Sequence, residues 1–372
     1  MPQITFSLDD LAREVTAYAG NSARAQQRLG DWRDEEPWHS QRTVVLTRGK
    51  LQLYHYAPRT RPVSATPLLI VYSLVNRPSV VDLAPGCSLI EDLLARGHEV
   101  YLLDWGYPDR ADQRRTLTDY IADDLDACVE VLRARHQRDQ VNLLGICQGG
   151  TFCLCYSALH GAKVKHLLTI ATPVDFHTPD DLLSHLLQRV DIAALVAAYG
   201  NLAGDFLNAL FIAQKPLQFA HQKYVNFVAR ADDDTASSLF LALERWIFDS
   251  PALAGVAFRE FTEGCYQANG LVNGTLQVAG QTIRLQHLQM PVLNLIARDD
   301  HLVPPAASRA LRGLVGTTDY TEVELPAGHI GILISTQARA ALVETVVNWL
   351  AGRVSRATVP KKRTKKRAPQ RL

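Results

Sequence analysis

The sequence predicts an α/β protein, a mostly parallel β-sheet wound by helices, with an inserted cap domain. Three observations carry that reading: short, nearly continuous apolar runs recur along the chain, helical patterns separate the early ones, and a long helical stretch then interrupts the alternation before the apolar runs resume. A strand covered by helices on both faces loses the apolar/polar alternation of a half-exposed strand. Repeated strand, helix, strand order favours parallel pairing through right-handed crossovers.

Taken in order, residues 8–29 read as a mostly helical lead-in, followed by a Trp-, Asp- and Glu-rich loop. Residues 43–47 and 51–57, joined by Arg48-Gly49-Lys50, read as a hairpin at a sheet edge. Apolar runs at 67–74, 98–103, 141–145, 166–171, 291–297 and 320–325 are the core strands, and helices are expected over 88–95 and 117–135. After Pro173 the pattern becomes helical, with segments at 180–199 and 237–248, then a Gly- and Gln-rich stretch over 270–286 that reads as a short hairpin. The expected organisation is a first core part with the lead-in over 1–174, an inserted cap over 175–288, a second core part over 289–355 and a basic, disordered tail over 356–372. Ligands of open α/β sheets sit beyond the carboxyl ends of the strands, so a cap inserted there roofs the site.

The composition is that of a globular protein, 47% hydrophobic and 21% charged in 372 residues. Nothing approaches the ~20 consecutive apolar residues of a membrane span, and Asp9, Asp10 and Glu14 do not fit a signal peptide. The expectation is a cytoplasmic protein. Six cysteines lack the density of a disulfide scaffold and the paired spacing of a metal site, so no metal is expected. Cys153 and Cys155 read as small buried hydrophobes on different sides of a helix. The net charge of +1 hides a cluster of seven basic residues from Lys361 to Leu372. Terminal charge runs are usually solvated, and no nucleic-acid partner is inferred from this one. A dinucleotide site is also unsupported, because the Gly-rich turn lacks the spacing of a pyrophosphate cradle.

That turn carries the chemistry. A strand runs through Val141-Asn-Leu-Leu into Gly145-Ile-Cys147-Gln-Gly149-Gly150, and a helix follows. This is the form of a nucleophile elbow, G-x-S-x-G, with cysteine in place of serine, and it points to the α/β-hydrolase fold. The Gln148 amide, at the start of a helix, is a candidate oxyanion donor. The chain then supplies an acid and a base in the order this fold uses: the 292–297 strand leads into Arg298-Asp-Asp300-His-Leu-Val, and the strand ending at Leu325 leads into Pro326-Ala-Gly-His329. His329 can take the thiol proton while a carboxylate fixes its tautomer. Asp300 is the chosen carboxylate, with the adjacent Asp299 its rival and His301 a lesser rival to His329. A second oxyanion amide is expected from the loop after the 67–74 strand, from Val75 or Asn76. Asp104 reads as a structural turn residue.

These blocks resemble the polyhydroxyalkanoate synthases, specifically the catalytic subunit of the short, two-subunit type. Tyr72-Ser-Leu-Val-Asn-Arg-Pro-Ser79, Asp104-Trp-Gly-Tyr-Pro108, Gly145-Ile-Cys-Gln-Gly-Gly150, Asp300-His-Leu-Val-Pro-Pro305 and Gly328-His-Ile-Gly331 all look like that family's motifs, and the resemblance spans about residues 40–350. It implies that Cys147 is acylated, that His329 is the general base, and that Asp300 is the family's aspartate, which either orients the histidine or helps activate the incoming hydroxyl. It implies polymerisation of short (R)-3-hydroxyacyl-CoA, chiefly 3-hydroxybutyryl-CoA, with coenzyme A as part of the substrate and as a product, and with no separate cofactor. It further implies a homodimer, a separate non-catalytic subunit and association with the polyester granule surface. The basic tail matches nothing in that family. Two other readings share the fold: a cysteine-dependent hydrolase with water as acceptor, and a catalytically silent granule-associated scaffold.

Overall fold

The computed structural model describes residues 8–30 and 38–357. The acidic, Trp-containing loop after the lead-in lies outside them, as does the tail expected over 356–372 apart from residues 356 and 357, which close the C-terminal helix. Eight strands form one sheet: β1 (Thr43–Arg48), β2 (Leu51–Tyr56), β3 (Leu68–Val71), β4 (Val100–Asp104), β5 (Val141–Ile146), β6 (Val164–Ile170), β7 (Val292–Ala297) and β8 (Tyr320–Leu325). Their spatial order is β1-β2-β4-β3-β5-β6-β7-β8. The edge hairpin and its neighbour pair antiparallel, and every junction from β4 to β8 is parallel.

Successive residues of β3 show why this sheet reads as continuous apolar sequence. Leu69 and Val71 enter the core layer built with Phe152 and Leu125, whereas Leu68 and Ile70 enter the opposite layer with Leu93 and Leu342. Both faces of β3 are covered, so all four of its residues are apolar. One layer is supplied by α3 (Leu125–His136) and α4 (Gln148–Leu159), the other by α2 (Leu89–Ala95) and the long C-terminal helix over Thr336–Ala357. Ser88 caps α2 by accepting the Glu91 amide at 2.9 Å. The helix expected over 117–135 is entered through a widened turn over Asp119–Asp124 before α3 begins.

The order β4-β3-β5 means that the chain leaves β3 in one direction along the sheet and later crosses back to its other side. A crevice therefore opens beyond the carboxyl ends of β3 and β5. The loops after β3, β5, β7 and β8 all emerge at this edge, as the parallel registers Val71 to Gly145, Ile146 to Ile170 and Ala297 to Leu325 require.

Between β6 and β7 lie the helices α5 (Leu182–Leu187), α6 (Ile192–Tyr199), α7 (Gly204–Gln214), α8 (Lys223–Ala229), α9 (Asp234–Phe248) and α10 (Gly255–Phe261), then a small hairpin pairing Gln277–Val278 with Gln281–Thr282. The single helix expected over 180–199 is two helices. Asp181 and Asp191 each stand at an N-cap, accepting the amides of Ser184 and Ala194 at 2.9 Å, and the second of these restarts the helix in a new direction. The lead-in is α1 (Leu8–Gly30), and although sequence order groups it with the core, it packs on the insertion. Ala25 is buried with Phe227 and Ala231, while Asn21 Nδ2 and Arg28 Nε donate to the carbonyls of Ala229 and Ala231 at 3.3 and 3.1 Å.

Candidate active site

β5 ends at Ile146, and Cys147 turns the chain at φ +54°, ψ −128° before α4 begins at Gln148. That conformation costs a non-glycine residue about 1–3 kcal/mol and persists only where the surroundings impose it. Here they do. A Cβ on Gly145 would lie 2.4 Å from Gly150 Cα, one on Gly149 would lie 2.2 Å from the Val71 carbonyl oxygen, and one on Gly150 would lie 1.8 Å from Thr172 Oγ1. Strand, helix and neighbouring strands are packed backbone to backbone, and Cys147 is held out at the apex.

His329, in the loop after β8, donates from Nδ1 to Asp300 Oδ2 at 2.6 Å, with both side chains buried. Asp300, in the loop after β7, is fixed by its other oxygen, which accepts the amides of Leu302 and Val303 at 2.8 and 2.9 Å. The Asp299 carboxylate is 60% exposed and pairs with Arg298 at 3.3 Å, whereas Asp300 is the one bonded to His329, so geometry separates two carboxylates that sequence spacing left as rivals. With Nδ1 engaged, the remaining ring nitrogen of His329 meets the Cys147 thiol. Burial opposes charge on this imidazole, but the Asp300 carboxylate, with Cys147 alongside, outweighs it and holds its pKa well above the usual histidine value. His301 is half-buried on the cavity wall, and its pKa is lowered by burial and by Lys215. His329, rather than His301, is therefore the histidine on Asp300.

Cys147 is partly open to the cavity, whereas the other five cysteines are buried. On α4, burial pushes the Cys155 thiol up to about 12 and Cys153 higher still, which leaves both as protonated hydrophobes.

The loop after β3 faces the elbow. Its Val75 amide donates to Ser73 Oγ at 3.0 Å, and its Leu74 amide donates to Gln148 Oε1 at 3.0 Å. Asn76 follows in a left-handed conformation, φ +58°. Gln148 thus contributes twice: its own amide is the first of α4, a position with no carbonyl to meet within the helix, and its side chain ties the facing loop to the elbow. Nothing in the sequence announces that second role. Asp104 is the turn residue expected, accepting the Gly106 amide at 3.0 Å and a hydrogen bond from Arg77 Nη2 at 2.6 Å; burial raises its pKa, with Arg77 opposing.

A cavity of about 810 Å³ connects these groups, walled on the sheet side by Tyr72, Cys147 and His329 and on the insertion side by apolar residues such as Leu183, Phe211 and Phe258. Among the described residues, no helix is long and apolar enough to cross a membrane.

A sharp elbow carrying a cysteine, a buried acid and histidine in the loops after β7 and β8, and a roofed cavity are the arrangement of the α/β-hydrolase class. Residues 66–336 match the alpha/beta hydrolase fold family. A putative lipase from Sulfolobus solfataricus shares the fold at 13% identity, with a TM-score of 0.52 over 86% of this chain and all of that one. Much nearer in sequence are two proteins named poly(3-hydroxyalkanoate) polymerase subunit PhaC. The one from Allochromatium vinosum is 48% identical over 92% of this chain and 97% of its own length, and the one from Thiocystis violacea is 46% identical over 94% and 99%. The chain belongs to the poly(3-hydroxyalkanoate) polymerase PhaC family, and it is an acyltransferase-type enzyme.

Proposed function

We propose that this protein polymerises short (R)-3-hydroxyacyl groups, chiefly 3-hydroxybutyryl, from their coenzyme A thioesters through a thioester on Cys147. The observation that carries the reading is a cysteine at the elbow in contact with a histidine that is itself bonded to a buried carboxylate. In the first half-reaction the Cys147 proton passes to His329, and the thiolate attacks the acyl carbonyl. The amides of Gln148 and Asn76 receive the oxyanion, since the Val75 amide is engaged by Ser73. Collapse breaks the bond to the coenzyme A sulfur, which leaves with the proton from His329. In the second half-reaction the imidazole takes the proton of a 3-hydroxyl, whose oxygen attacks the Cys147 thioester. An ester forms and the cysteine thiol is restored with that proton. Asp300 holds the histidine tautomer in both halves.

The choice of sulfur has a thermodynamic reason. Exchanging one thioester for another conserves the activation of the acyl group, so the free energy is released when the polyester bond forms. A serine ester would dissipate it earlier. The apolar cavity wall suits an acyl chain and keeps water from competing with the hydroxyl.

Cytoplasmic location, a homodimer, a separate non-catalytic subunit and attachment to the granule surface belong to the same proposal. They rest on the likeness to the two-subunit synthases. The test is incubation with 3-hydroxybutyryl-CoA, with and without the candidate partner subunit, following free thiol and polymer together. Both products should appear, and Cys147→Ala should lower both by more than about 10⁴-fold. Free thiol with only monomeric hydroxyacid would instead identify a hydrolase, and no thiol in either setting a silent scaffold.

A further inference from the structure

The insertion is fastened to the loop that faces Cys147. Trp246, near the end of α9, donates from Nε1 to the Arg77 carbonyl at 2.7 Å. Ser250, just past α9, donates from Oγ to Asn76 Oδ1 at 2.8 Å. A third link runs through Asp249, which accepts the Tyr107 hydroxyl at 2.5 Å; the Arg77 guanidinium lies 4.1 Å from the centre of the Tyr107 ring and donates to Asp104. The insertion side of this clasp is itself rigid. Leu202 and Leu253 exchange both backbone hydrogen bonds, at 3.0 and 2.8 Å, and Gly204 leaves space where a Cβ would sit 2.1 Å from the Ser250 carbonyl oxygen.

Asn76 needs such support. A left-handed asparagine is tolerable but not preferred, and its peptide plane, which carries the candidate oxyanion amide, can rotate unless neighbours on both sides hold it. On one side the loop is held by Gln148, and on the other by Trp246 and Ser250.

We infer that Trp246 and Ser250 are positioning residues for acyl transfer: they set the Asn76 amide, so the oxyanion hole is complete only when this end of the insertion is seated. The inference rests on the reading that Cys147 attacks a carbonyl, but not on the identity of the acceptor. A donor displaced from an oxyanion loses its effect in the transition state while ground-state binding is untouched.

The experiment compares two reactions of the same cysteine. Acylation by p-nitrophenyl butyrate, read as the p-nitrophenolate burst, builds an oxyanion; alkylation by iodoacetamide does not. Ser250→Ala should slow the burst about 10-fold, and Ser250→Ala with Trp246→Phe about 100-fold, within the range for a lost or misplaced oxyanion donor. Alkylation should stay within about twofold of wild type, KM for the ester should hold, and Ser250→Thr should restore the burst. Ser250→Ala removes only a hydroxyl, whereas Trp246→Phe also shrinks a ring buried in the core, so the alkylation rate of the double variant is the control for that loss of packing. An unchanged burst in the double variant overturns the inference, as does alkylation that falls in step with acylation, since that would mean Cys147 itself was disturbed. A wild-type chain that bursts but forms no polymer from 3-hydroxybutyryl-CoA sinks the polymerase reading alone.

Discussion

The sheet and the insertion solve the same packing problem differently. Every residue of β3, β4 and β5 is buried, and each strand is closed on both faces by helices of the same chain. The insertion turns apolar side chains both ways. Leu183 and Phe211 face the cavity, while Leu217 and Tyr199 stand 81% and 73% exposed on the outside. Around the elbow the sheet is therefore specified by dense contacts that admit only glycine at Gly145, Gly149 and Gly150, whereas the insertion combines such close approaches, at Gly204 and Gly255, with exposed apolar side chains and a hairpin glycine, Gly280, that meets open space. Catalytic geometry is anchored in the first region, and its completion from above depends on the second.

The largest effect that would break this contrast concerns glycine. Gly149→Ala places a Cβ against the Val71 carbonyl, and we expect a loss of about 3 kcal/mol in chemical denaturation, at the upper end for overpacking. Gly280→Ala, in the insertion hairpin, meets open space and carries only the penalty of its φ of +69°, about 1–2 kcal/mol. Equal losses at the two sites would remove the distinction.

The next effect is pH-dependent and belongs to the sheet side. The folded-state pKa of His329 is raised, against the opposing effect of burial, so its charged pairing with Asp300 stabilises the fold fully below the unfolded histidine value of about 6.5. That contribution declines as pH rises from there and vanishes above the folded pKa. The stability advantage of wild type over His329→Gln, measured by urea unfolding at a series of pH values, should shrink steadily upward from neutrality. An advantage that grows with pH contradicts the assignment.

The smallest effect lies wholly in the insertion. Asp191→Ala removes the cap of α6 and should cost about 1 kcal/mol, while the rate of Cys147 alkylation stays at the wild-type value. A change in alkylation would show that α6 reaches the elbow mechanically.

Most of the sheet was legible in the sequence because a doubly covered strand is mostly apolar, and the runs at 67–74, 141–145 and 291–297 stand out for that reason although Asn142 and Asn294 are buried within them on hydrogen-bonded partners. The elbow was legible because a turn that brings backbone to within van der Waals contact admits only glycine at fixed spacings around Cys147. The break in the 180–199 helix was harder to read, since Asp191 is acceptable inside a helix and becomes a cap only when packing redirects the chain.

The chain order of nucleophile, acid and histidine was determined by sequence alone, because loop positions follow strand positions along a parallel sheet. Tertiary structure decided the choice between Asp299 and Asp300, which differ only in the direction each side chain leaves the loop: one goes to Arg298 and solvent, the other to two amides and His329. It also decided that the Val75 amide is engaged, that Gln148 braces the facing loop, and that Trp246 and Ser250 reach Arg77 and Asn76 across some 170 residues of chain. Contacts at such separation leave no local pattern, because neither partner's neighbours in sequence share the constraint.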